Sequence, residues 1–84
     1  MTLPTDLKHI YWRSRRGMLE LELKLVPFLR DHYADLSPEE QQSYEALLEE
    51  EDWQLFDWFQ AREVPADPVT KQVVDKIIAS TGRL

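Results

Sequence analysis

The chain has 84 residues, no cysteine, and sixteen acids against ten lysines and arginines, for a net charge of -6. That is one domain with a single small core, without disulfides or thiolate metal sites, and suited to a reducing compartment. No apolar run approaches the roughly 18 residues needed to span a bilayer, so membrane insertion is not expected. The start, Met1 to Asp6, lacks the basic and apolar stretches of a secretory signal, and a bacterial cytoplasmic protein is the simplest expectation.

Leu7, Ile10 and Tyr11 repeat at helical spacing, with Thr5 or Asp6 as the expected N-cap, and this first helix should stop between Arg15 and Gly17. A second helix begins near Met18 and carries Leu21, Leu25, Phe28 and Leu29 on one stripe. Leu19, Leu23 and Val26 widen that stripe, which predicts a central helix buried on more than one side. Pro27 lies inside the pattern and, lacking an N–H, predicts a kink. Ser37-Pro38-Glu39-Glu40 reads as a capping box opening a third helix, which buries Tyr44, Leu47 and Leu48. Asp52 is the expected cap of a fourth helix carrying Trp53, Leu55, Phe56, Trp58 and Phe59, ended by Pro65. Asp67-Pro68 starts a fifth, with Val69, Val73 and Ile77 on one face, Val74 and Ile78 on the next, and Gly82 as its stop. The expected fold is all-α: a small, monomeric five-helix bundle formed by residues 1–84 as one domain.

Charge is distributed unevenly. Residues 1–30 hold six cations against three acids, whereas residues 31–68 hold twelve acids and only Arg62. The acidic middle argues against nucleic acid as a partner and suggests a directional match to one protein. Glu49-Glu50-Glu51-Asp52 lacks the alternating ligands and central glycine of a calcium loop, so no metal site is expected. With no cysteine nucleophile, two histidines without triad or metal spacing, and only two glycines, catalytic residues and a phosphate cradle are not expected either. A binding protein remains, and not an enzyme.

The densest group of chemistry is the segment Trp12-Arg13-Ser14-Arg15-Arg16-Gly17-Met18-Leu19-Glu20. Gly17 suits the corner between two helices, and Glu20 falls in the first turn of the second, near the positive end of its dipole. A cation, bare backbone and an anion are thus offered together, either as a docking surface or as a well-built corner. Trp12 beside the arginines suits core or interface.

Trp12-x-x-Arg15-Arg16-Gly17-Met18-Leu19-Glu20-Leu21-Glu22 resembles the signature of the succinate dehydrogenase flavinylation factors of the bacterial SdhE type. The resemblance continues through Pro27-Phe28, Tyr33, Leu36, Glu40, Leu47-Leu48, Asp52, Leu55-Phe56-x-Trp58 and Pro65, covering residues 7–80. Leu19 stands where the family often has a basic residue, and Glu22 where it often has aspartate. The resemblance implies an assembly factor that binds the flavoprotein subunit of succinate dehydrogenase, and of fumarate reductase in some members. It would promote covalent attachment of FAD to a histidine of that client while holding no FAD stably itself. Arg16, Gly17 and Glu20 would then contact the client, with Arg15 and Trp12 beside them. The competing expectation from charge alone is a generic acidic binding module, such as an antitoxin or anti-activator, that masks a basic surface through residues 31–68.

Overall fold

The computed structural model describes residues 8–14 and 18–81, with only the backbone of His9. Helix α1 spans Lys8–Ser14, α2 Leu19–His32, α3 Pro38–Leu47, α4 Asp52–Phe59 and α5 Pro68–Thr81. A short 3-10 turn, Tyr33–Asp35, follows α2. No strand occurs among the described residues. The all-α, five-helix expectation therefore holds, while the caps at Thr5 or Asp6 and the stop at Gly82 lie outside the described residues.

Helix α2 is the central element, touching α1, α4, α5 and the 3-10 turn. It buries Leu21, Leu25, Phe28 and Leu29, the i, i+4, i+7, i+8 set of one face. Each such side chain contributes about 1.5–3 kcal/mol of transfer free energy. The helix continues through Pro27 as one element from Leu19 to His32. The wider stripe expected from the sequence forms only in part: Val26 is half-buried, but Leu19 is 61% and Leu23 60% exposed. The periodicity of Leu19 and Leu23 is helical, but the neighbouring helices leave them uncovered, so α2 carries apolar groups on its outer side.

Facing α2, helices α3 and α5 make the most extensive helix pair. Helix α3 opens as the sequence predicts. The Glu40 amide donates to Ser37 Oγ and the Ser37 amide donates to Glu40 Oε1, both at 3.1 Å, with Pro38 at the first position. Helix α5 opens on Asp67, whose carboxylate accepts the Thr70 amide at 2.9 Å and the Thr70 hydroxyl at 3.0 Å. Ser43 and Thr70 hydroxyls join the two helices at 3.1 Å, and Lys76 pairs with Glu40 at 2.6 Å.

Rings fill the space between α2, the 3-10 turn and α3. Tyr44 is stacked on Phe28 with centroids 6.0 Å apart and meets Tyr33 edge-on at 5.6 Å. The expected core members Leu21, Leu25, Phe28, Leu29, Leu47, Leu48 and Val73 are all buried, and Phe56 is partly buried against them.

Helix α4 departs from expectation at both ends. Its N-cap position is Glu51, without a side-chain bond, and Asp52 is the first helical residue. It stops at Phe59, well before Pro65, because Ala61 adopts a left-handed φ of 60°. The Arg62 amide then reaches Asp57 O at 2.9 Å and the Ala61 amide reaches Trp58 O at 3.0 Å, a Schellman closure built without glycine. Holding alanine there costs about 1–2 kcal/mol, which the satisfied carbonyls offset.

Candidate docking site

The site is the junction of α1 and α2. Its central residues Arg15, Arg16 and Gly17 lie outside the described residues, so their expected roles rest on the sequence and on what flanks them. Both flanks are anchored. On the α1 side, Ser14 is fully buried; its hydroxyl lies 2.8 Å from Ile10 O and 2.7 Å from the Tyr44 hydroxyl. Tyr44, also fully buried, reaches Leu25 O of α2 at 3.3 Å. On the α2 side, Met18 is packed against the core, and its carbonyl accepts the amides of Leu21 at 3.1 Å and Glu22 at 3.3 Å.

Arg13 adds a second tie between α1 and α3. Its guanidinium donates to Glu45 O at 2.9 Å and to Glu49 Oε1 at 2.5 Å. Part of the basic charge near the N-terminus is thus matched within the molecule by the acidic middle. Lys24 is also committed, donating to Thr81 O at the end of α5 at 2.6 Å. It is a tie between α2 and the end of α5.

What remains outward at the junction is mixed. Trp12 is 64% exposed and meets Tyr11 edge-on at 5.6 Å, so it stands on the surface and not in the core. Glu20 is exposed in the first turn of α2 and forms no hydrogen bond or ion pair with the described residues. Helical spacing sets Leu19 and Leu23 beside it on the same outward side. The backbone leading into α2 is extended at Met18, φ -99° and ψ 114°, with no side-chain cap; Glu20 and Glu22 supply negative charge to that end.

Sequence reasoning left Trp12 open between core and interface and set Glu20 in the first turn of α2; it missed Ser14 and Tyr44 as a pair. A serine between two arginines reads as solvated, and its partner lies 30 residues away. The acidic run is likewise used locally: Glu49 meets Arg13, and Glu51 accepts the Trp53 indole N–H at 2.9 Å.

Trp12, Leu19, Leu23 and Glu20 thus give this small helical protein an exposed patch of apolar side chains and a carboxylate. Comparison with known proteins supplies the class. The family described as "Flavinator of succinate dehydrogenase" matches residues 8–81. The FAD assembly factor SdhE of Pseudomonas aeruginosa is 46% identical over 74 residues, covering 88% of each chain. Its namesake from Pasteurella multocida is 44% identical over 68 residues, covering 81% of each. That from Shewanella oneidensis is 40% identical over 72 residues, covering 86% of this chain and 88% of its own. The chain belongs to this family of succinate dehydrogenase flavinators. Among the described residues no helix is long and apolar enough to cross a membrane.

Proposed function

We propose that this protein is an FAD assembly factor that binds the flavoprotein subunit of succinate dehydrogenase and promotes covalent attachment of its FAD, without being the catalyst. The observation that carries this reading is the family match over residues 8–81, which takes in the whole described fold and the docking corner. The fumarate reductase flavoprotein as a second client, a monomeric state, a cytoplasmic location and the lack of stably held FAD belong to the same proposal.

The physics of such a role requires no reactive group on the assembly factor. Covalent attachment needs the client's acceptor side chain and flavin held in a reactive geometry. A partner that binds that client conformation preferentially raises its population by its differential affinity alone. The junction supplies suitable groups: an exposed Glu20, apolar Trp12, Leu19 and Leu23, and in sequence Arg15, Arg16 and Gly17. A guanidinium fork docks oriented acceptors, and glycine permits close backbone approach. The generic acidic module is less well supported, because Glu40, Glu45 and Glu49 are engaged by Lys76 and Arg13 within the fold.

Deletion of the gene should strongly reduce covalent flavin fluorescence of the succinate dehydrogenase flavoprotein in a denaturing gel, and the wild-type gene should restore it. Glu20→Ala should melt normally, since an exposed first-turn carboxylate contributes at most about 1 kcal/mol, yet should fail to restore the signal. Undiminished covalent flavin in the deletion strain would overturn the reading. Full restoration by a folded Glu20→Ala protein would remove Glu20 from it.

A further inference from the structure

We propose that the groove between α3 and the start of α5 docks a short extended segment of a protein partner, one that carries arginine or lysine beside an apolar side chain. Among the described residues none of α1 or α2 lines this groove, so the inference requires nothing of the docking reading above. Two hollows form it, of about 250 and 390 Å³, and they run together because Ala46, Asp67 and Thr70 line both. The first is walled by Leu47, Trp58 and Pro65, the second by Ser43 and Val69. Leu47 and Pro65 are buried, Trp58 is half-buried, and Ala46 is exposed on the α3 side. The half-buried indole gives the wall an aromatic surface that takes either an apolar group or a guanidinium.

The groove is held in shape before any partner arrives. Where the hollows meet, the Ser43 and Thr70 hydroxyls lie 3.1 Å apart and tie α3 to α5. Thr70 also donates its amide and hydroxyl to the Asp67 carboxylate at 2.9 and 3.0 Å, which fixes that group at the rim. Side chains already ordered lose little freedom on binding.

Charge selects the occupant. Glu39, Glu50 and Asp67 line the two hollows, and among the described residues no lysine or arginine does. Lys71 and Lys76 of α5 are taken up by Asp75 and Glu40. The hydrogen bonds from Thr70 hold the Asp67 carboxyl below its ordinary range, so it is charged at neutral pH. Such a rim repels an acidic segment and complements a basic one. Glu39 and Glu50 stand roughly 16 Å apart along α3 and the turn after it, the span of about five extended residues.

The probe is a short end-capped peptide that alternates arginine with leucine, titrated into the isotope-labelled protein and followed by amide and indole NMR shifts. Shifts should gather at Ala46, Glu50, Thr70 and the Trp58 indole N–H, leaving the Trp12 indole unmoved. The peptide with glutamate for arginine should not bind, and that with serine for leucine should bind about 10-fold more weakly. Ala46→Arg sets a bulky cation where the hollows meet; on an exposed helix position it should leave the melting temperature unchanged and weaken binding at least about 10-fold. Glu39→Gln should cost about 2–3-fold, whereas Asp31→Asn, the same change of charge at the end of α2, should cost nothing measurable. The proposal is overturned by absence of binding, by shifts centred on Trp12, or by equal binding of the glutamate or serine peptide. Normal binding by folded Ala46→Arg, or equal losses from Glu39→Gln and Asp31→Asn, overturns it too. The same shifts on concentrating the protein alone would make a second copy the occupant, and the partner segment would be wrong.

Discussion

The two ends of this molecule are built to different standards. In the half formed by α3 and α5, each helix opens on a side-chain cap followed by proline, Ser37-Pro38 and Asp67-Pro68, and the two are cross-linked by Ser43–Thr70 and Glu40–Lys76. At the α1–α2 junction the cap position of α2 is Met18, with no side-chain bond, and three large apolar residues, Trp12, Leu19 and Leu23, face outward. Capping and burial are invested where the fold needs a frame; at the α1–α2 end the described residues expose apolar side chains and the Glu20 carboxylate. Such a division is expected of a small domain, where stability is marginal and a binding surface must forgo some of it.

The division is sharpest when attacked at its centre. Leu25 is fully buried in α2, between the two halves, and Leu25→Ala should cost about 2–5 kcal/mol, seen as a large loss in chemical denaturation. A loss below 1 kcal/mol would mean that the central helix does not hold the halves together. Next in size is the frame alone. Ser37→Ala should remove about 1 kcal/mol, lowering the melting temperature by roughly 4–8 °C, with flavinylation unchanged after correction for the folded fraction. Impaired flavinylation in the fully folded variant would blur the distinction between frame and surface.

A smaller effect depends on pH. The Lys76 ammonium, aided by the Ser37 amide, holds the Glu40 carboxyl below its ordinary range. Because the folded state keeps this proton off more readily than the unfolded chain, the stabilisation is full above the ordinary carboxylate range and is lost as pH falls from there through the lowered folded value. Glu40→Gln should therefore melt lower than wild type near neutrality and show a shallower decline in acid. A constant gap at all pH values would mean that the ion pair contributes nothing specific to the α3–α5 frame. Smallest of all in stability is Glu20→Ala, whose expected consequence falls on the client.

Much of the frame was legible in the sequence because its signals are local. Ser37 and Glu40 sit three residues apart, Asp67 precedes Pro68, and Leu21, Leu25, Phe28 and Leu29 keep one period. The errors arose where a local signal is insufficient. Leu19 and Leu23 obey the same period as the buried leucines, but only tertiary placement decides which side of α2 is covered. Pro65 looked like the end of α4, whereas Ala61 ends it through a backbone conformation that alanine does not announce. At the docking corner the sequence set Glu20 in the first turn of α2 and left Trp12 between core and interface, but gave no sign of Ser14–Tyr44, whose separation of 30 residues leaves no pattern to read. Arg15, Arg16 and Gly17 remain assigned by resemblance.

The core's aromatic character has an optical consequence. Tyr33, Tyr44, Phe28 and Phe59 are buried, whereas Trp12 and Trp53 are 64% and 58% exposed and Trp58 is only half-buried. Indole emission from the native protein should therefore already be that of hydrated tryptophan, and unfolding should shift it little, leaving the far-ultraviolet helix signal as the better monitor of folding. The same insensitivity is useful in a complex. With the interior almost silent, a blue shift on adding a partner would report water leaving a surface indole, and Trp12→Phe would show how much of that light comes from the docking end.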